Sequence, residues 1–99
     1  MNRIGIVAEL GQETRVAATP VTVGKLLELG YEVVVEKGAG EAASFRDDAY
    51  EAAGALIVGA DEAWGSDVVL RVNPPTEEEI GRLADGATLI GSLSPAQVL

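Results

Sequence analysis

The sequence contains four polar side chains that could bind a ligand, each in a segment that follows a short apolar run. They are Arg15, Asn73, Ser94 and Gln97. An arginine can bind a carboxylate or a phosphate through two parallel hydrogen bonds. Arg15 also has two acids nearby in the chain, Glu9 and Glu13, and its spacing fits a surface ion pair equally well. At this point the spacing leaves both interpretations of Arg15 open.

The composition excludes several kinds of chemistry. The 99 residues contain no histidine and no cysteine, so the commonest general base, the commonest metal ligand and any thiolate nucleophile are missing. Ser94 has no histidine to activate it, which excludes a Ser–His nucleophile. The net charge of −9 opposes binding to nucleic acid or anionic lipid. The three consecutive acids at 77–79 would point in three directions on a helix, which predicts a solvated face rather than a metal site.

The elements that must position these residues are of two alternating kinds. Apolar runs rich in Val and Ile predict strands at 3–8, 31–36, 55–58, 67–72 and 87–90. Such near-continuous runs are typical of strands covered on both faces, and the helical segments between them predict right-handed βαβ units. We therefore expect a three-layer Rossmann-like or flavodoxin-like α/β fold with a parallel sheet of about five strands. The carboxyl ends of its strands would form one edge that carries the candidate residues.

The clearest helix is predicted at 20–29. Thr19 can cap it, Pro20 takes the first helical position and Gly30 follows its end. A second helix is predicted at 47–53, ending before a glycine.

Two shorter segments follow. Residues 77–83 predict a helix, because Thr76 and Glu79 have the spacing of a capping box. Residues 61–65 predict a short turn in which Trp64 anchors the segment to the sheet rather than stacking on a ligand.

A glycine loop follows the second predicted strand. Gly38, Gly40 and Ala43 have the spacing of a dinucleotide fingerprint, and Asp61 lies at a plausible distance for a ribose contact. That fingerprint normally belongs to the first strand, and Glu41 would put a negative charge where a pyrophosphate should lie. We therefore favour the interpretation that this segment is a flexible glycine loop that does not bind a nucleotide. Lys37, just before the loop, is predicted to be a solvated surface residue.

Several segments, taken in order and spacing, resemble a known family. The most specific is Glu-Thr-Arg-Val-Ala-Ala-Thr-Pro at 13–20, and the others lie at 4–9, 29–33, 36–40, 50–55, 70–75 and 95–97. Together they make essentially the whole chain resemble the N-terminal part of the alanine dehydrogenase and nicotinamide nucleotide transhydrogenase family. We expect residues 1–99 to form one N-terminal α/β domain, with the family's NAD-binding Rossmann domain lying downstream and absent from this sequence.

The resemblance separates two branches of that family. Alanine dehydrogenases hold pyruvate with an arginine matching Arg15 and a lysine matching Asn73, and they carry a catalytic histidine at the position of Ser94. The transhydrogenase alpha subunits typically have asparagine at the position of Asn73 and a Pro-Ala-Gln that ends here at Gln97. Direct hydride transfer between two nicotinamides needs alignment but no acid or base in this region. The absence of histidine therefore favours the transhydrogenase branch.

The resemblance also implies cofactors and partners. The chain would form one wall of an NAD(H) cleft that a downstream NAD-binding domain completes, a partner component would bring NADP(H), and a membrane component would couple hydride transfer to proton translocation. The domain would be cytoplasmic and peripheral to the inner membrane through these subunits. We expect no tightly bound cofactor or metal on this chain alone, and no turnover by it.

The alternatives are an alanine dehydrogenase-like fragment and a non-catalytic structural or dimerisation module. The last predicted strand lies uncovered at an edge, which predicts self-association as a homodimer.

Overall fold

The computed structural model describes residues 2–9, 16–73 and 75–91. Within these residues the chain forms five strands: β1 (Arg3–Ile6), β2 (Glu32–Glu36), β3 (Leu56–Val58), β4 (Val68–Arg71) and β5 (Thr88–Gly91). The same residues include four α-helices: α1 (Pro20–Glu28), α2 (Asp47–Ala53), α3 (Ala60–Trp64) and α4 (Glu77–Ile80). A short 3₁₀ turn at Glu41–Ala43 precedes α2.

The strands form a sheet in the order β3-β2-β1-β4-β5, and each neighbouring pair is parallel. The predicted α/β fold with a parallel sheet of five strands is thereby confirmed. The chain moves outward from β1 to β2 and β3, then returns to the other side of β1 to form β4 and β5. The direction of strand addition thus reverses between β1 and β4, which makes this pair the topological switch point.

One face of the sheet packs against α1 and α2. Ile6 and Val35 are fully buried there against Val23 of α1 and Tyr50 of α2. Burying each such aliphatic side chain stabilises the fold by about 1.5–3 kcal/mol. This cluster therefore fixes the two helices that cover the β3-β2-β1 side of the sheet.

The other face packs against α3. Val7 and Val69 form a buried cluster with Trp64, so the prediction that this tryptophan anchors its segment to the sheet is confirmed. The helix lies so close to β1 that a Cβ added at Gly5 would collide with the carbonyl oxygen of Ala63. A glycine at this position therefore allows α3 to rest directly on the backbone of β1.

The local signals at α1 act as predicted. The Oγ1 of Thr19 accepts the N–H of Thr22 at 3.3 Å, Pro20 takes the first helical position, and Gly30 follows with a φ of +96°. The helix ends at Glu28, one residue before the predicted end.

Two predicted boundaries, the ends of β1 and α4, differ by two or more residues, because a side chain or a glycine interrupts the backbone pattern there. β1 ends at Ile6 rather than at residue 8, and the N–H of Ala8 donates instead to the carboxylate of Glu36 at 2.9 Å. α4 ends at Ile80 rather than at residue 83, because Gly81 follows and the next backbone N–H groups bond three residues back. The segment predicted as a turn at 61–65 is the helix α3.

Candidate functional site

The candidate site lies at the carboxyl ends of β1 and β4, where the strand order reverses. Parallel α/β sheets bind ligands outside the carboxyl ends of their strands at such a point. Glu9 follows β1, Arg71 ends β4, and Val72 and Asn73 come directly after it. We call Glu9 and residues 71–73 the switch-point rim.

Glu9 connects the two sides of this rim. Its Oε1 accepts the Nε–H of Arg71 at 2.8 Å and the backbone N–H of Asn73 at 3.0 Å. Its Oε2 accepts the backbone N–H of Val72 at 2.6 Å. The side chain of Glu9 is 3% exposed, so all three contacts are shielded from water. A buried carboxylate that accepts three N–H groups is well compensated for its lost hydration.

Arg71 is a second buried charge and is flanked by two acids. Its side chain is 1% exposed, and its Nη1 lies 2.8 Å from Oε2 of Glu79 in an ion pair whose geometry does not meet that of a hydrogen bond. The guanidinium carbon lies 5.6 Å from the ring centroid of Trp64, within cation–π range. Burial favours the neutral form of Arg71, but the contacts with Glu79 and Glu9 outweigh it and raise the pKa of the guanidinium.

Glu79 belongs to the same ion cluster, and its burial shows that the prediction of a solvated face for residues 77–79 was wrong at this position. Its Oε1 accepts the backbone N–H of Thr76 at 2.9 Å, while Thr76 Oγ1 accepts the N–H of Glu79 at 3.2 Å, so the predicted capping box is present. The acids at 77–79 were expected on a solvated face, but the capping box turns Glu79 inward and only Glu77 and Glu78 are exposed. Burial alone would raise the pKa of Glu79, yet its contacts with Thr76 and Arg71 lower it.

Of the four predicted site residues, Asn73 is the one whose place the structure describes. It is half-buried and follows the end of β4, and its backbone N–H donates to Glu9. Arg15, Ser94 and Gln97 lie outside the described residues. Their place at the carboxyl edge of the sheet therefore stays a prediction.

Arg71 is the functional candidate that sequence reasoning missed. The sequence analysis identifies Arg15 as the candidate cation and places Arg71 only within a predicted strand. The available signal was a single charged residue between Leu70 and Val72 in an otherwise apolar run. A charge in a strand covered on both faces must be paired, and its partner lies at a distant position in the sequence.

The two glycines of the loop at 38–40 make contacts within the domain. The N–H of Gly38 donates to the carboxylate of Asp47 at 2.9 Å. A Cβ added at Gly40 would lie 2.6 Å from the ring of Tyr50, so this glycine makes room for a core side chain. Gly38 thus joins the loop to α2 and Gly40 makes room for the core, and Lys37 beside them is exposed, as predicted.

Neither a group of three His, Cys, Asp or Glu side chains arranged to hold a metal ion nor a helix long and apolar enough to cross a membrane is found among residues 2–9, 16–73 and 75–91.

The parallel sheet of order 3-2-1-4-5, with helices on both faces and a polar rim at the switch point, defines a Rossmann-like α/β domain. Comparison with known sequences then identifies its family. The profile described as "Alanine dehydrogenase/PNT, N-terminal domain" matches residues 5–98. The chain belongs to this family, which confirms the resemblance found in the sequence.

Both branches of the family are represented among the relatives. NAD(P) transhydrogenase subunit alpha of Haemophilus influenzae is 50% identical over 88 residues, which is 88% of this chain and 17% of that protein. Alanine dehydrogenase 1 of Staphylococcus aureus is 47% identical over 77 residues, which is 77% of this chain and 21% of that protein. The chain thus spans about a fifth of the length of these relatives.

Solved structures give the same two branches. A transhydrogenase from Sinorhizobium meliloti matches with a TM-score of 0.83 and 39% identity over 90% of this chain and 27% of its own. An L-alanine dehydrogenase matches with a TM-score of 0.82 and 33% identity, over 90% of this chain and 25% of its own.

Proposed function

We propose that the chain forms the N-terminal wall of the NAD(H) cleft in a proton-translocating NAD(P) transhydrogenase alpha subunit. In that role it helps to align NADH for hydride transfer to NADP⁺, which gives NAD⁺ and NADPH. The downstream NAD-binding domain completes the cleft, and NADP(H) comes from a partner component. A membrane component couples the transfer to proton movement.

One observation carries this proposal: Asn73 stands at the switch-point rim of a chain that has no histidine. Oxidation of an amino acid needs a group that takes up a proton, and histidine is the usual choice near neutral pH. Hydride transfer between two nicotinamides needs only their alignment. An amide at the rim, together with Arg15, Ser94 and Gln97, suits this second task.

Alanine oxidation is the second candidate function. It is favoured by the 47% identity to alanine dehydrogenase 1 and by the TM-score of 0.82 to an L-alanine dehydrogenase. In that case Arg15 would bind the carboxylate of pyruvate.

A chimera separates the two candidates. The chain replaces the matching segment of the Haemophilus influenzae subunit, and the protein is produced with the other components of that transhydrogenase. We expect NADH-dependent reduction of an oxidised NADP analogue and no NAD⁺-dependent deamination of alanine. Alanine deamination by the chimera, without transhydrogenation, would refute the proposal.

The same chimera tests Arg15. We expect Arg15→Ala to slow hydride transfer while the protein still melts cooperatively. Arg46→Ala is the matched control, because the side chain of Arg46 is 86% exposed and lies near α2, away from the rim. Equal rates for the Arg15 and Arg46 variants would favour the alternative that Arg15 forms a surface ion pair, with Glu13 as its partner because Glu9 is buried and bonded to Arg71.

The homodimer stays a prediction. Within the described residues β3 and β5 are the outer strands of the sheet, and Leu56 and Ile90 on them are 58% and 47% exposed. Unpaired strand edges with apolar side chains favour self-association. Sedimentation equilibrium of the chain tests this, with Leu56→Glu and Ile90→Glu to identify which edge pairs.

A further inference from the structure

The backbone ladder between β1 and β4 stops before the rim begins. Its last pair is Ile6 with Leu70, followed by one long hydrogen bond from the N–H of Val7 to the carbonyl of Leu70 at 3.5 Å. Beyond this point the connection between the two strands passes through the side chain of Glu9, which accepts the N–H groups of Val72 and Asn73. A side chain therefore sets the spacing of the two strands where the ligand crevice opens.

We propose that Glu9 and Arg71 are positioning residues of the cleft: Arg71 orients the carboxylate of Glu9, and Glu9 fixes the backbone that carries Asn73. This inference rests on the proposed function, in which Asn73 faces the nicotinamide nucleotide. It adds two residues that sequence reasoning did not assign to the site.

A carboxylate is the side chain that suits the position of Glu9. Its two oxygens meet three N–H donors, from Arg71, Val72 and Asn73. A glutamine has one oxygen and one NH₂ group, so its NH₂ would face at least one of these donors. Glu9→Gln therefore keeps the size of the side chain but loses the match to its partners.

An arginine is the side chain that suits the position of Arg71. Its planar guanidinium reaches Glu9 through Nε and Glu79 through Nη1, while the plane lies near the ring of Trp64. A lysine carries one compact charge without this fork and cannot reproduce the set of contacts. Arg71→Lys therefore keeps the charge but loses the orientation of Glu9.

The segment that carries Glu9 is also fixed on its other side, by a side chain of β2. The N–H of Ala8 donates to the carboxylate of Glu36, at the end of β2, at 2.9 Å. Residues 8 and 9 are thus connected to β2 on one side and to β4 on the other, just before the segment that carries Arg15. A buried ion pair contributes little net stability compared with apolar packing, so its geometric role is the stronger reason for its place here.

The first readout is amide hydrogen exchange in the 99-residue chain. With Glu9→Gln we expect the amides of Val72 and Asn73 to exchange about tenfold faster or more, while the buried Val34 of β2, which is paired on both sides, keeps its protection. Glu32→Gln is the control, because Glu32 pairs with Arg3 in a half-exposed contact at the opposite end of the sheet. Unchanged exchange at both rim amides would overturn the inference.

The second readout is kinetic and uses the chimera. We expect Glu9→Gln and Arg71→Lys to lower kcat for hydride transfer by about 10- to 100-fold, as expected for misaligned reactants, in protein that still melts cooperatively. Glu32→Gln should leave kcat unchanged. If the Glu9 and Arg71 variants keep the parent kcat, the inference is wrong while the proposed function stands.

The two readouts separate the possible failures. A parent chimera without hydride transfer would refute the proposed function and, with it, the role of the rim in the cleft. If Glu9→Gln unfolds the chain, Arg71→Lys supplies the same comparison, because it keeps a positive charge between the two acids. If Arg71→Lys kept the kcat of the parent chimera, a positive charge alone would suffice at position 71, and this result would also overturn the inference.

Discussion

Glu9 and Arg71 are 62 positions apart in the sequence, yet Oε1 of Glu9 lies 2.8 Å from Nε of Arg71. The pair joins the two strands on either side of the switch point, and Glu79 holds the guanidinium from α4. The segment after β1, the end of β4 and α4 thus meet in one buried ion cluster. The stability and the geometry of the rim should both depend on it.

Arg71→Met should lower the free energy of unfolding by about 3–5 kcal/mol, because it leaves the carboxylates of Glu9 and Glu79 buried without a counter-charge. Adding Glu79→Gln should restore part of this loss, because one of the two charges is then gone. Urea denaturation measures both effects, with Arg46→Met as the exposed control. If Arg71→Met were as stable as the parent chain, the cluster would have no structural role.

Acid should weaken the fold through Glu79. Burial opposes its ionisation, but the contacts with Thr76 and Arg71 outweigh burial and hold its pKa below the ordinary 4.5. The stabilisation is therefore present above about pH 4.5 and is lost as the pH falls through the lower pKa of the folded state. Glu79→Gln should flatten this acid slope in pH-dependent urea denaturation, whereas Glu78→Gln, at an exposed position, should not. Identical acid slopes in the parent and the Glu79 variant would contradict the ion pair.

Alanine substitutions at two glycines should change the stability of the fold in opposite directions. A Cβ at Gly5 would collide with the carbonyl of Ala63, so Gly5→Ala should push α3 away and cost about 1–3 kcal/mol. Gly24 lies within α1 with open space around it, so Gly24→Ala should stabilise the chain by about 0.5–1 kcal/mol. Thermal denaturation of the two variants tests the pair. A Gly5 variant as stable as the Gly24 variant would show that α3 does not rest on β1.

Tyr50 should couple stability to alkaline pH. Its hydroxyl donates to the carbonyl of Ala18 at 2.8 Å, and burial, with the charge of Asp47, raises its pKa from 10.0 to about 12. The stabilisation is present below pH 10 and is lost as the pH rises through about 12.

Tyr50→Phe should remove this alkaline loss and should cost about 1–3 kcal/mol at neutral pH, because the buried carbonyl loses its donor. The check is urea denaturation from neutral pH to pH 12. An unchanged alkaline slope in the phenylalanine variant would place the titrating group elsewhere.

The parts of the fold that depend on local chemistry could be predicted from the sequence. Thr19, Pro20 and Gly30 define the ends of α1 through capping, a fixed φ and a left-handed turn, and each acts within a few residues. Apolar runs likewise predict parallel strands, because both faces of such strands are covered. The boundaries of β1 and α4 were less predictable, because a side-chain hydrogen bond replaces the ladder after β1 and a glycine follows α4.

The ion cluster could not be predicted in the same way. Arg71 lies in an apolar run, and nothing near it in the sequence identifies Glu9 as its partner. Glu79 belongs to an acidic run that fits a solvated first turn, and only the tertiary position of α4 turns it towards Arg71. Asn73 was predicted at the rim because it directly follows a strand, which is information that the sequence does carry.

The proposed function is tested most directly by a crystal structure of the chimera with NADH bound. We expect the nicotinamide end to lie over the switch-point rim, with the side chain of Asn73 within about 3.5 Å of the nucleotide. A nucleotide bound instead at the loop of Gly38 and Gly40, with Asn73 beyond hydrogen-bonding reach, would contradict it.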